Sequence, residues 1–213
     1  MNLSKYNYIS IEGNIGAGKT SLATRIADDF NAKLILEQFE DNSFLPKFYR
    51  DPDKYAFPLE LSFLAERFEQ LKTQLTTRDL FRNFTVSDYF IVKSFIFARK
   101  NLPDDTFGLY KKLFDIISAS LPKPDLLVYL YLNIDNLLKN IHHRGREYEL
   151  DIKSEYLAKI QESYLDYIRK QPNLRVVIID TNKLDFVHRR KDYQTMIEII
   201  SKEYPVGVHT IVP

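Results

Sequence analysis

Apolar and short polar positions alternate over residues 6–12 (YNYISIE), a β-prone run that ends at Gly13. Beyond Lys19, the stretch TSLATRIADDF spaces Leu22, Ile26 and Phe30 as one helical face requires. Strand, loop and helix follow in that order. The pattern returns with strand candidates at residues 32–36, 84–87, 125–132 and 174–179, separated by segments rich in helix formers. Parallel neighbours need crossover connections, which are usually helical. The expectation is an α/β fold with a parallel sheet of about five strands and helices on both faces. Residues 53–76 carry Tyr55, Phe57, Leu59, Leu61, Phe63, Leu64, Phe68 and Leu71, more than one helical stripe. Such a helix is buried on several sides, either at the centre of the core or with one side in a subunit interface.

Length and composition narrow the class. A chain of 213 residues fills one core and leaves little for a second, so residues 1–213 read as a single domain. The formal net charge of +1 supplies no basic field to hold nucleic acid or an acidic membrane, and small-molecule chemistry fits better. With no cysteine, a disulfide framework, a thiolate metal site and a cysteine nucleophile are excluded, and the cytoplasm is the expected compartment. The longest apolar run, residues 126–132, is too short to span a bilayer, and no leader-like segment is read at the N-terminus.

Gly13-Asn14-Ile15-Gly16-Ala17-Gly18-Lys19-Thr20 matches the spacing G-x-x-x-x-G-K-[ST] between a predicted strand and a predicted helix. The glycines let successive N–H groups turn inward toward phosphate oxygens, and the helix presents its positive end to the same charge. Lys19 then bridges the β and γ phosphates, and Thr20 offers its hydroxyl to Mg²⁺. Nucleoside triphosphate binding follows, with ATP and Mg²⁺ as the expected pair. This loop alone does not separate a kinase from a switch GTPase or a motor, and the acceptor side must do that.

The segments LILEQFEDNSFLPKFY, DPDKYAFPLELSFLAER, SDYFIVKSFIFARKNL, LPKPDLLVYL, HHRGREYE and NKLDFV resemble the deoxynucleoside kinase family, in particular its bacterial deoxyguanosine and deoxyadenosine kinase branch. The resemblance runs over nearly the whole chain. It implies a P-loop kinase with an arginine lid that phosphorylates the 5′-hydroxyl of a deoxyribonucleoside, with a purine base expected, for nucleotide salvage, and that forms a homodimer. Glu37 matches the glutamate that takes the proton from the 5′-hydroxyl, and a carboxylate at the C-terminal end of a parallel strand stands where such folds bind ligands. Without the resemblance, Glu37 reads as a solvent-facing strand end.

Other roles rest on the same likeness. Glu60 and Arg67, seven residues apart on one helical face, offer an acceptor and a donor fork to a base edge, with Glu60 standing where the family usually has glutamine. Phe97 matches the residue that stacks on the base, and Tyr49 and Glu149 match the pair that holds the sugar 3′-hydroxyl. Arg144 and Arg146 match the lid that closes on the phosphates, where guanidinium forks suit phosphoryl oxygens. Asp88 reads as an Mg²⁺-shell or 5′-hydroxyl contact, although Tyr89 stands where an arginine is usual. Lys93 replaces an aspartate carried by relatives that take cytosine, and Asn140 replaces an arginine that stacks on adenine. Asp185 and Phe186 are then expected near the ATP purine. A nucleoside monophosphate kinase would need basic residues for an acceptor phosphate, whereas this region carries Glu37, Glu40, Asp41 and Glu60. A nucleotide-sensing module without turnover is the rival of a different class.

Overall fold

In the computed structural model, which describes residues 3–38, 42–77 and 79–213, all six strands lie parallel in one sheet. They are β1 (Tyr8–Gly13), β2 (Lys33–Ile35), β3 (Thr85–Ser87), β4 (Leu126–Tyr131), β5 (Arg175–Asp180) and β6 (Gly207–Ile211), in the spatial order β2-β3-β1-β4-β5-β6. The helices are α1 (Lys19–Phe30), α2 (Leu45–Arg50), α3 (Pro52–Thr76), α4 (Val92–Asn101), α5 (Asp104–Ser118), α6 (Ile134–Arg144), α7 (Ser154–Arg169) and α8 (Arg190–Ile200). Five strands fall where the sequence pattern puts them. The sixth, β6, pairs with β5 at the sheet edge and was not anticipated.

The described chain divides into two compact units, one of Met1–Leu36, Asp79–Phe90 and Lys123–Pro213, the other of Glu37–Arg78 and Ile91–Pro122. The first contains the sheet. Strand β1 is buried along its whole length, so both of its faces are covered, as a parallel sheet requires. Ile9 and Ile11 point to the side where Leu22, Ala23 and Ile26 of α1 pack with Met196 and Ile200 of α8. Glu12, on the alternate side, meets Tyr164 of α7. The chain leaves β1 toward β2 on one side and later returns to place β4 on the other. In open α/β sheets such a reversal marks the ordinary ligand position, beyond the C-terminal ends of the strands.

The second unit is helical. Asp51 accepts from the Lys54 N–H at 3.3 Å and starts α3, whose first turn takes Pro52 without losing a helical hydrogen bond. The buried residues of α3 are Ala56, Leu59, Glu60, Phe63, Leu64, Arg67 and Leu71, one stripe and no more. Tyr55, Phe57, Leu61 and Phe68 are half-buried, so the expected burial on several sides is complete on one side only. Phe95 of α4 meets Phe107 and Phe114 of α5 with ring centroids 5.3 and 5.2 Å apart. Among the described residues no helix is long and apolar enough to cross a membrane.

Ile11 is fully buried at the middle of the sheet, while Thr210 is exposed on the edge strand β6. Ile11→Ala is expected to lower the unfolding free energy by about 2–5 kcal/mol, and Thr210→Ala to stay within roughly 0.5 kcal/mol of the parent. Urea unfolding followed by circular dichroism checks both.

Candidate active site

The loop after β1 is built from conformations that only glycine takes without strain. Gly16 has φ +82° and Gly18 has φ +84°; a Cβ on either would come within 2.8 Å of the Leu137 carbonyl oxygen or the Phe186 ring, respectively. Asn14 braces the turn, donating from Nδ2 to the Leu157 carbonyl at 2.8 Å and accepting from the Ile15 N–H at 2.9 Å. Asn140 of α6 donates to the Gly16 carbonyl at 2.8 Å. Lys19 Nζ folds back onto the Asn14 carbonyl at 2.9 Å. Gly18 caps α1, so Lys19 and Thr20 are its first residues and the helix N-terminus faces the loop.

Thr20 donates from Oγ1 to Asp88 Oδ2 at 2.6 Å. The two expected metal ligands, 68 residues apart in the chain, are therefore adjacent. Asp88 directly follows β3, and its N–H donates to the Ile35 carbonyl at 3.1 Å, which fixes it at the ends of β2 and β3. A hydroxyl and a single carboxylate are the protein share that Mg²⁺ commonly takes, the remaining positions going to phosphate oxygens and water. The donor set fits that ion.

Arg144 and Arg146 lie on either side of Gly145, which ends α6 at φ +71°. Both reach Glu149: Arg144 forms an ion pair with Oε2, and Arg146 approaches Oε1 at 3.5 Å. Phe186 is buried, with its ring against Gly18. Asp185 accepts from the His188 ring at 2.9 Å.

In the helical unit, Glu37 follows β2 by two residues in the chain, and its carboxylate is held by two cations. Arg67 donates from Nε to Oε1 at 2.9 Å, with NH2 at 2.8 Å from the same oxygen, and Lys93 forms an ion pair with Oε2. Arg67 is in turn fixed by Ser94 Oγ at 2.7 Å and lies 4.6 Å from the Phe63 ring centroid. Glu60 is turned elsewhere: Oε1 accepts from Asn101 Nδ2 at 2.7 Å, and Oε2 is buried without a hydrogen-bond partner among the described residues. Arg67 and Glu60 thus share a helix face but are not hydrogen-bonded to each other. Burial pushes the Glu60 carboxyl up to about 7, against the pull of the Asn101 amide and the Arg67 and Lys93 charges. Near neutrality Glu60 is therefore only partly an acceptor, since a protonated carboxyl also donates. Phe97 is half-buried, its ring 5.6 Å from Lys93 Nζ. Tyr49 belongs to α2, but its side chain lies outside the described part, as do Glu40 and Asp41.

Glu12 was not singled out in the sequence, yet it stands directly before the loop and is fully buried. Its Oε1 accepts from the Phe90 N–H at 2.7 Å and its Oε2 from the Tyr164 hydroxyl at 3.0 Å. A charged residue inside an otherwise apolar strand was the available signal.

A glycine loop between a central parallel strand and a helix, with a lysine and a hydroxyl–carboxylate pair at its end, defines the P-loop class of nucleotide-binding fold. Comparison with known proteins narrows this. The deoxynucleoside kinase family model matches residues 9–204. Among curated relatives, a deoxyguanosine kinase of Bacillus subtilis is 36% identical over 88% of this chain and 92% of its own. A deoxyguanosine kinase of Lactobacillus johnsonii is 32% identical, with 93% of each chain covered. A deoxyadenosine kinase of Dictyostelium discoideum is 30% identical over 92% of this chain and 79% of its own. Of the solved structures, that of a deoxyadenosine kinase from M. mycoides with bound dATP superposes with a TM-score of 0.78 at 21% identity, covering 92% of this chain and all of that one. The likeness at that identity is one of fold. The chain belongs to the deoxynucleoside kinase family. It is an enzyme that phosphorylates a deoxynucleoside.

The raised Glu60 pKa has a defined consequence for stability. The folded carboxyl holds its proton up to about 7, against an ordinary value of 4.5, so the folded state is favoured below the ordinary value and loses that advantage as pH rises through 7. Glu60→Gln stays neutral throughout. Its unfolding free energy is expected to gain on that of the parent by up to about 3 kcal/mol between roughly pH 4 and pH 8. Chemical unfolding of both proteins across that range measures the difference.

Proposed function

We propose that residues 1–213 act as one deoxynucleoside kinase domain that transfers the γ-phosphoryl group of ATP to the 5′-hydroxyl of a purine deoxyribonucleoside. The observation that carries the transfer is the Thr20–Asp88 hydrogen bond at the mouth of the curled loop: it sets a hydroxyl and a carboxylate beside backbone N–H groups and Lys19. The purine preference draws support from relatives named deoxyguanosine and deoxyadenosine kinases. Lys93 instead of an aspartate agrees with it.

The residues divide the work by their chemistry. Backbone N–H groups of residues 13–20 and the Lys19 ammonium hold the β and γ phosphates. Thr20 and Asp88 hold Mg²⁺, which when bound neutralises developing charge on the phosphoryl oxygens. Glu37 accepts the 5′-hydroxyl proton while O5′ bonds to the γ-phosphorus and ADP leaves. Phosphoryl transfer of this kind is loose, so alignment and charge outweigh the base in importance. Phe97 stacks on the base, while Glu60 and Arg67 present polar atoms to its edge. Tyr49 and Glu149 receive the 3′-hydroxyl. Arg144 and Arg146, paired with Glu149 in the free protein, turn to the transferring group as the phosphates arrive. Asp185 and Phe186 border the adenine. The protein works in the cytoplasm as a homodimer, and the half-buried Tyr55, Phe57, Leu61 and Phe68 of α3 form its contact.

Glu37→Gln keeps the shape and loses the base. Its kcat is expected to fall roughly 10²–10⁴-fold while the nucleoside still binds, measured by a coupled ADP-release assay and calorimetry. Wild-type turnover in this variant would remove Glu37 from the reaction, and undiminished turnover in excess EDTA would remove the metal.

A further inference from the structure

The Glu37 carboxylate is more heavily paired than a general base needs. Three N–H groups of two cations surround it: the Arg67 Nε and NH2 groups on Oε1, and the Lys93 ammonium on Oε2. The three side chains are nearly closed to solvent, with 5% of Arg67, 9% of Glu37 and 12% of Lys93 exposed. Screening by water is therefore weak.

The two cations are held unequally. Arg67 is anchored from three directions, by Glu37, by Ser94 Oγ at 2.7 Å and by the Phe63 face. Its planar fork cannot leave without breaking that set. Lys93 ends in a compact charge on a flexible stem, and beyond Glu37 its ammonium has the Phe97 ring at 5.6 Å. An acceptor hydroxyl must reach a carboxylate oxygen. Oε1 is occupied by the anchored arginine, so Oε2, covered by the movable lysine, is the oxygen that can be uncovered.

We infer that Lys93 is a positioning residue for phosphoryl transfer: it holds Glu37 ionised in the free enzyme, covers Oε2, and yields that oxygen to the 5′-hydroxyl. The inference rests on the reading of Glu37 as the base. In the step itself the hydroxyl proton passes to Oε2, O5′ bonds to the γ-phosphorus, and the bond from that phosphorus to the β–γ bridging oxygen breaks. Lys93 keeps its proton throughout. Two cations beside one carboxylate favour its charged form, so the base stays ready in acid solution where a lone buried glutamate would be protonated. Among the described residues, Glu60 on α3 and Tyr110 on α5 also stand by this cluster. Tyr110, whose hydroxyl donates to the Ser94 carbonyl at 3.2 Å, is pushed well above the usual tyrosine range by burial and stays neutral. Glu60 moves from neutral to charged near pH 7, which adds a negative charge to the cluster at higher pH only. The acid side of the profile is thus governed by Glu37, Arg67 and Lys93.

The test is the pH dependence of kcat/KM, with ATP, Mg²⁺ and the better purine deoxynucleoside, for the parent, Lys93→Met and Lys93→Arg. The acid limb reports the free enzyme's base. In Lys93→Met it is expected to move upward by roughly one to three pH units, and in Lys93→Arg to remain in place. A purely structural role for Lys93 lowers the rate without moving the limb, and an unmoved limb in Lys93→Met overturns the inference. Should Lys93→Met not fold by circular dichroism, Lys93→Gln gives the same reading with an uncharged donor. Glu37→Gln separates the two ideas. If it turns over normally, the base assignment fails; if it is inactive while the Lys93→Met limb stays put, only the role of Lys93 fails.

Discussion

A loop that meets phosphate through its backbone must keep its N–H groups unspent, and a backbone with unspent donors is unstable unless something else holds its shape. In this chain bonds from the Ile15 and Ala17 N–H groups to Asn14 supply part of the hold, and the rest comes from outside the loop. Asn14 reaches the Leu157 carbonyl, Asn140 reaches the Gly16 carbonyl, and Phe186 packs where a Cβ on Gly18 would stand. Glu12, buried at the end of β1, binds the Phe90 N–H and the Tyr164 hydroxyl, so the loop's entry and the segment after β3 share one carboxylate. Asp88 owes its position beside Thr20 to that arrangement and to its own bond to the Ile35 carbonyl. These partners come from β1, α6, α7 and the segment before α8, which is why the sheet order matters to the chemistry.

The helical unit solves a different problem, that of keeping carboxylates in low-dielectric surroundings without losing their function. Glu37 has two cations against its carboxylate. Glu60 has one amide and, among the described residues, no directly paired cation, and burial raises its pKa to about 7. The two carboxylates of this helical unit thus stand in different surroundings, the usual physical basis for giving such groups separate tasks. Charge neutralisation also explains the low mobility expected of Arg67, which serves Glu37, Ser94 and the Phe63 face at once.

Much of this was legible in the sequence because it is local. The strand-loop-helix at residues 6–30 is a contiguous pattern, and five of six strands follow from β-prone runs separated by helical spacing. Strand β6 escaped because a five-residue edge strand, half-buried and exposed by turns, carries little apolar signal. The second stripe of α3 reads as core or as a subunit interface, and in the single chain Phe57, Leu61 and Phe68 are half-buried. In the site, the positions of Thr20 and Asp88 were readable because one stands in the first turn of α1 and the other directly after β3. The pairing of Glu37 with Lys93, 56 residues away, follows no spacing rule. The division into two units was hidden because the helical unit is made of two separate chain segments.

The central claim is that this chain transfers a phosphoryl group from ATP to a purine deoxyribonucleoside. The most direct measurement is ATP turnover with Mg²⁺ in a coupled assay across deoxyadenosine, deoxyguanosine, deoxycytidine, thymidine and thymidine monophosphate at equal concentration. The account predicts turnover with one or both purine deoxynucleosides well above the rest. Turnover with the monophosphate alone, or with none of the five, would contradict it.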